Sequence, residues 1–119
     1  MHSKDLAIFA EQVLDDMKAK DARVLDVSGL TSITDYMIIA TGTSGRHVRS
    51  IAERLVERCK ETDRPLLGVE GLDDANWVLV DLQDVVVHIM QATARDFYKL
   101  ENLWDMNFQT SDASAEPAS

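Results

Sequence analysis

Apolar positions in the first third of the chain alternate between helical and extended spacing. The first run has five apolar residues at close to helical intervals: Leu6, Phe9, Val13, Leu14 and Met17. They predict an amphipathic helix over residues 4–18. Residues 22–28 alternate as a strand does, and Gly29 permits a turn after them. The next run, residues 36–41, is apolar on both faces and predicts an interior strand.

The clearest helix follows a turn that contains glycine, threonine and serine. Residues 42–45 end the second strand, and Thr43 or Ser44 can cap a helix that reaches about Lys60. Its apolar stripe has the i, i+3, i+4 spacing of a helix packed on one side: Val48, Ile51, Ala52, Leu55, Val56 and Cys59. Cys59 falls on this stripe, so we interpret it as a small buried hydrophobe and not as a nucleophile.

The middle of the chain predicts a loop and a hairpin. Residues 66–67 form a short extended piece between a proline and a glycine, and residues 71–74 have the composition of a loop. Two apolar runs follow, over residues 76–82 and 84–90. Because the runs lie so close together, an antiparallel hairpin is the economical connection.

The end of the chain predicts one more helix and a tail. The helix runs from about residue 92 to 104 and places four residues near one face: Ala94, Phe97, Leu100 and Trp104. Residues 109–119 are rich in serine and alanine, so we expect a disordered tail after one domain over residues 1–108. The order of elements is helix, two strands, helix, two or three strands, helix. It predicts the α/β or α+β class, with a mixed sheet flanked by helices.

The predicted hairpin has two unlike faces if its loop holds two or four residues around Gln83 and Asp84. One face is uniformly apolar and should be core: Val78, Val80, Leu82, Val85, Val87 and Ile89. The other face pairs Trp77 with Met90, Leu79 with His88, and Asp81 with Val86. Such a mixture fits a surface that meets another protein, and equally fits a face covered by a helix of this chain. A three-residue loop would break this register.

Charge and composition narrow the class of partner. The 21 acidic and 12 basic side chains give a formal net charge of −9. Extensive contact with nucleic acid is therefore not expected, although a local basic patch could still contact a nucleic-acid backbone. The negative net charge suits a basic partner. No apolar run approaches the roughly 20 residues of a membrane span, and the N-terminus lacks the apolar region of a signal peptide. A cytoplasmic protein is expected, and its single cysteine excludes an internal disulfide.

The turn at residues 42–46 is the most enzyme-like feature. Backbone N–H groups at a helix N-terminus favour an anion, and Arg46 could add a charge-assisted contact. The glycine spacing matches neither the dinucleotide fingerprint nor a P-loop. The plain interpretation is a tight turn with a capped helix. The alternative is a nucleotide-binding enzyme that uses the Gly42–Arg46 turn.

The remaining polar residues give little support to catalysis. Asp81 and Asp84 flank the hairpin turn and residues 73–74 lie in a loop, without the spacing of a two-metal site. His88 could form an acid–base pair with Asp35, Asp81 or Asp84. The plainer interpretation is a hydrogen-bonded histidine on a half-buried sheet face. No metal or other cofactor is expected.

Several separated motifs resemble the Iojap family of ribosome-silencing factors. In chain order they are Leu25-Asp26-Val27, Thr34-Asp35-Tyr36, Ala40-Thr41-Gly42-Thr43-Ser44, Arg46-His47-Val48, Glu70-Gly71, Trp77-Val78-Leu79-Val80-Asp81, Leu82-Gln83-Asp84-Val85-Val86-Val87-His88, Arg95, Phe97-Tyr98, Leu100-Glu101 and Leu103-Trp104. The resemblance covers roughly residues 4–106. One departure is Gln83, which stands where the family often has a glycine before the aspartate, and this puts the turn type in doubt.

The resemblance implies a fold similar to nucleotidyltransferases without their catalytic carboxylates, and a function without catalysis. Family members bind the large ribosomal subunit through a ribosomal protein on its intersubunit face. They block joining of the small subunit and lower translation when nutrients are scarce, and some members form homodimers. Within this frame we hypothesise seven partner-binding residues: Trp77, Leu79, Asp81, Asp84, Val86, His88 and Met90. Trp77 would be the apolar anchor, and the alternative is that it belongs to the core.

Overall fold

The computed structural model describes residues 2–100, which form three helices and five strands. In chain order these are α1 (Ser3–Asp16), β1 (Lys20–Asp26), β2 (Tyr36–Gly42), α2 (Gly45–Glu61), β3 (Gly68–Glu70), β4 (Trp77–Asp81), β5 (Val85–Gln91) and α3 (Ala92–Tyr98). This order confirms the predicted series of elements. Residues 101–119, which include the predicted tail, lie outside the described part of the chain.

The strands form one mixed sheet in the order β1-β2-β5-β4-β3. β2 and β5 are parallel at its centre, whereas the other three neighbouring pairs are antiparallel. Parallel neighbours need a long crossover, and here the chain forms α2, β3 and β4 between them. The predicted mixed sheet flanked by helices is confirmed. β3 begins at Gly68, so the extended piece predicted at residues 66–67 lies just before the strand.

The main core lies between one face of the sheet and the helices α1 and α2. The six residues assigned to the apolar face of the hairpin are all fully buried: Val78, Val80, Leu82, Val85, Val87 and Ile89. Cys59 is also fully buried, and burial raises the pKa of its thiol, in agreement with its interpretation as a small hydrophobe. Ser44 caps α2 as predicted, because its Oγ accepts from the backbone N–H of His47 at 3.1 Å.

The last helix is shorter than predicted. α3 ends at Tyr98, since Lys99 adopts a left-handed conformation with φ of 49° and so stops the helix there. Ala94 packs on the second face of the sheet with four other buried residues: Val27, Met37, Ile39 and Met90. Phe97, which we expected on the same side as Ala94, is 79% exposed instead. The residues predicted to continue this helix from 101 to 104 lie outside the described range.

The loop of the hairpin has two residues, Gln83 and Asp84. This is one of the two lengths, two or four residues, that the predicted register allowed. The backbone N–H of Leu82 donates to the carbonyl oxygen of Val85 at 2.8 Å. The N–H of Asp84 donates to the carbonyl oxygen of Leu82 at 3.0 Å, so Gln83 is the central residue of a γ-turn. Its φ of 77° lies in the region that favours glycine.

Replacing Gln83 with glycine should therefore stabilise the protein. Relief of the backbone strain outweighs the extra entropy of an unfolded glycine, so we expect the free energy of unfolding to rise by about 0.5–1 kcal/mol. Urea unfolding of the two proteins measures the difference. Gln12→Gly, on the exposed side of α1, is the matched control and should lower stability by about 1 kcal/mol, because glycine is a poor helix former. A Gln83→Gly protein less stable than the parent would show that the turn is not strained.

Candidate partner-binding face

The hairpin brings together the six side chains that its alternation predicts. Trp77 lies opposite Met90, Leu79 opposite His88, and Asp81 opposite Val86. Directly opposed residues project from the same side of a sheet, so the six residues form one surface, here called the hairpin face. The predicted register is confirmed, and the hairpin face lies on the side of the sheet that carries α3.

Neighbouring strands extend this surface in both directions. On β2, Ile39 lies beside His88, and on β1, Arg23 lies beside Ile39. On the other side, Glu70 of β3 lies beside Leu79. Sequence reasoning did not place Arg23 or Glu70 here, because their positions depend on strand order. The Glu70-Gly71 pair within the family resemblance was the one signal available for Glu70.

The residues of the hairpin face lie at different depths. Met90 is fully buried and His88 is 6% exposed, so both form the floor of the face and not its surface. The other four residues are partly exposed: Trp77, Leu79, Asp81 and Val86. One oxygen of the Asp81 carboxylate accepts from the backbone N–H of Gln83 at 2.8 Å, which holds it beside the turn.

Asp84, the seventh predicted residue, lies in the turn beside this face. It is exposed, and its backbone carbonyl oxygen accepts from the N–H groups of Asp35 and Tyr36 at 3.0 and 3.1 Å. These bonds tie the turn to the beginning of β2. The backbone of Asp84 is therefore held next to the Asp81 side of the face.

Trp77 is oriented by contacts on two sides. Its Nε1–H donates to Nδ1 of His88 at 2.9 Å. Its ring lies 4.8 Å from that of Tyr98, centroid to centroid, in a tilted arrangement. Phe97 then packs edge-on against Tyr98 at 5.0 Å. The two aromatic residues of α3 thus extend the apolar part of the face, a feature that only the packing of α3 reveals.

His88 is held in its neutral form. Because the Trp77 N–H can only donate, the Nδ1 atom that receives it carries no proton. Burial lowers the pKa of His88 to about 4. Its Nδ1 therefore faces an indole and not a carboxylate. The plainer interpretation, a hydrogen-bonded histidine on a half-buried sheet face, is confirmed.

Two backbone donors at the Gly42–Arg46 turn are bonded within the protein. The N–H of Thr43 donates to Nδ1 of His47 at 2.9 Å, so the other ring nitrogen, Nε2, carries the proton. That nitrogen donates to the carbonyl oxygen of Met17 at 2.8 Å and ties the end of α1 to the start of α2. The N–H of His47 is bonded to Ser44 as described above. The N–H groups of Thr43 and His47 are thus already engaged within the protein.

The glycine of this turn also has a packing explanation. A Cβ atom at Gly42 would lie 2.6 Å from Cγ2 of Val48 and 3.0 Å from its backbone nitrogen. Gly42 therefore allows β2 and α2 to approach closely. The geometry supports the plain interpretation, a tight turn before a capped helix.

Two further properties concern the described residues alone. Within residues 2–100, no group of three or more His, Cys, Asp or Glu side chains is arranged to hold a metal ion. Across the same range, no helix combines the length and apolar character that crossing a bilayer requires.

The fold and this face define a small mixed-sheet domain with an aromatic and acidic surface, and comparison with known proteins gives its family. A family model described as "Ribosomal silencing factor during starvation" matches residues 1–119. The chain is 46% identical over 99 residues to the ribosomal silencing factor RsfS of Haemophilus influenzae, covering 83% of this chain and 97% of that protein. It therefore belongs to the ribosomal silencing factor family, a family of translational regulators, as its motifs indicated.

Two other relatives extend the comparison. A crystal structure of a Chromobacterium violaceum protein matches with a TM-score of 0.85 and 42% identity, covering 87% of each chain. A mouse protein named mitochondrial assembly of ribosomal large subunit protein 1 is 35% identical over 91 residues, which are 74% of this chain and 40% of that protein. The crystal structure has the same fold over most of the chain.

Proposed function

We propose that this protein binds the large ribosomal subunit through the hairpin face and blocks joining of the small subunit. Membership of the ribosomal silencing family makes the ribosome the target. The name of the mouse relative, which concerns the large subunit, favours that subunit as the partner. The observation that carries the choice of surface is the partly exposed Trp77, set among apolar and acidic residues on a rigid sheet.

The chemistry of the face suits a basic ribosomal protein. Trp77, Leu79 and Val86 offer apolar area for the centre of an interface. Glu70, Asp81 and Asp84 place carboxylates around that area, where they would pair with lysine or arginine of the partner. A net charge of −9 is repelled by ribosomal RNA in general, so it directs the protein towards basic protein surface.

The anchor is organised before binding. His88 and Tyr98 hold the indole of Trp77 from two sides, and Met90 supports the sheet beneath it. A side chain already fixed in one orientation loses little freedom when a partner covers it, which favours affinity. The mechanism needs only affinity and position, because a domain on the intersubunit face excludes the small subunit by its volume.

Sedimentation with purified ribosomal particles tests this function. We expect the protein to migrate with isolated large subunits but not with small subunits, and to reduce joined particles when both subunits are mixed. Leu79→Ala should weaken the binding, whereas Ile8→Ala, an apolar truncation on the exposed side of α1, should leave it unchanged. A protein that fails to migrate with large subunits at low and moderate salt would contradict the proposal.

A further inference from the structure

A polar cavity of about 380 Å³ lies at the edge of the sheet face that carries α3. It opens where the parallel strands β2 and β5 reach their carboxyl ends, the side of an α/β sheet at which ligands usually bind. The polar residues around it come from β1, β2, α3 and the residue that follows α3: Asp21, Arg23, Thr41, Arg95, Asp96 and Lys99. Neither the partner-binding residues nor the Gly42–Arg46 turn belong to this cavity.

The cavity concentrates positive charge in an acidic protein. Three cationic side chains line it against two carboxylates, although the chain as a whole carries −9. A β-bulge between Lys20 and Arg23 puts Asp21 in a left-handed conformation, and bulges redirect the side chains beside them. Nη1 of Arg95 donates to the carbonyl oxygen of Asp21 at 2.6 Å and to Oγ1 of Thr41 at 2.9 Å. These bonds fix the Arg95 guanidinium at the cavity wall.

Asp96 is a weak competitor for Lys99. Asp96 pairs with Lys99 at 3.5 Å, but their side chains are 86% and 60% exposed. An exposed pair of this kind contributes little free energy, so a stronger anion can displace Asp96.

The cavity also has a defined relation to the hairpin face. One row of opposed residues crosses the whole sheet: Arg23, Ile39, His88, Leu79 and Glu70. The row has a cation at the β1 edge and a carboxylate at the β3 edge. Four strand spacings separate the two ends by about 19 Å. The surface is therefore basic at one end and acidic at the other.

We propose that this cavity receives a backbone phosphate of ribosomal RNA when the hairpin face docks on the large subunit. This inference rests on the proposed function and adds a second partner to it. The guanidinium groups of Arg23 and Arg95 and the ammonium of Lys99 are the groups that bind phosphate oxygens in proteins. The acidic end meets basic protein while the basic end meets RNA, so the charge separation orients the domain on a surface that contains both.

The salt dependence of large-subunit affinity tests the inference. Each phosphate contact releases counterions, so in Arg23→Gln/Lys99→Gln the slope of log affinity against log salt should become shallower by roughly 1, the change expected for one lost phosphate. Affinity at about 0.1 M salt should fall roughly tenfold or more. The control, Lys4→Gln/Lys60→Gln, changes the net charge equally on the helices of the opposite side and should keep the wild-type slope. Asp96→Asn, which removes the competing carboxylate, should strengthen binding several-fold.

Two results on the large subunit would overturn the inference. One is a wild-type slope in the double variant, with its melting temperature showing that it is folded. The other is an equal loss in the control variant, which would make the effect one of net charge alone.

A second measurement separates this inference from the function on which it rests. The full chain is titrated with single-stranded oligouridine of about ten nucleotides while the NMR signals of Thr41, Arg95 and Asp96, which the variant retains, are followed. Shifts that disappear in the Arg23→Gln/Lys99→Gln variant would support the cavity as an RNA site even if sedimentation failed. Shifts with a nucleoside triphosphate but none with the RNA would overturn the assignment to RNA, as would no shifts with either.

Discussion

Replacing Trp77 with alanine should lower the affinity for the large ribosomal subunit by about 100-fold, the loss typical of a central aromatic anchor. The indole is the largest apolar group on the hairpin face, and its orientation is held by His88 and Tyr98. Alanine removes the contact area and the preorganisation together. Sedimentation or fluorescence titration with purified large subunits measures the change.

The same substitution also affects folding, so its result needs a second variant. Without the indole, Nδ1 of the nearly buried His88 loses its donor, and an unsatisfied buried group costs about 1–3 kcal/mol. Trp77→Phe keeps an aromatic ring but lacks the N–H, so it shares the folding effect and should retain much more of the affinity. A folded Trp77→Ala protein that binds like the wild type would exclude the hairpin face as the contact surface. If that variant does not fold, Leu79→Ala on the exposed part of the same face decides the question.

Acidification from pH 7 to pH 4 should destabilise the wild-type protein by up to about 3 kcal/mol more than a His88→Asn variant. Burial lowers the pKa of His88 from 6.5 to about 4, so the folded state holds the ring neutral where an unfolded chain already binds a proton. The unfolded state therefore binds more protons between these values, and acid favours unfolding. This contribution to stability is complete above about pH 6.5 and is lost as the pH falls to about 4.

Urea unfolding of both proteins at several pH values measures this difference. Asparagine does not titrate, and its side-chain oxygen can still accept from the Trp77 N–H. Both proteins have the same carboxylates, so the contribution of these groups to the pH dependence of stability cancels in the comparison. NMR titration of the wild type gives the ring pKa directly. A midpoint near 6.5 with identical pH profiles for the two proteins would show that His88 is not enclosed as described.

Local periodicity was sufficient to predict most of the elements and one surface. The apolar stripe of α2 and the cap at Ser44 depend on residues a few positions apart, so sequence reasoning placed them correctly. The hairpin face followed in the same way, because strand alternation and a two-residue loop together determine which side chains share a side. Ambiguity began where one pattern fitted two environments, as it did for the mixed face of the hairpin.

The tertiary structure decided features that local periodicity left open. The start of α2 is tied to the end of α1 by His47, which reaches Met17, thirty residues away along the chain. The end of α3 depended on the left-handed backbone conformation of Lys99, which lysine does not intrinsically favour. His47 and Met17 are joined by no periodic pattern, whereas the end of α3 was decided by the local backbone conformation at Lys99.

In the candidate site, too, local periodicity determined some features and the tertiary structure decided others. Alternation along β4 and β5 put Trp77, His88 and Met90 on one side, since each strand must turn successive side chains to opposite faces. Their surroundings came from α3, which packs Ala94 with Met90 and places the Tyr98 ring against Trp77. The insertion of β5 between β2 and β4 brought Arg23 and Glu70 to opposite ends of the same row. Strand order and burial are set by the free energy of the whole chain, whereas periodicity is set by the geometry of a few consecutive residues.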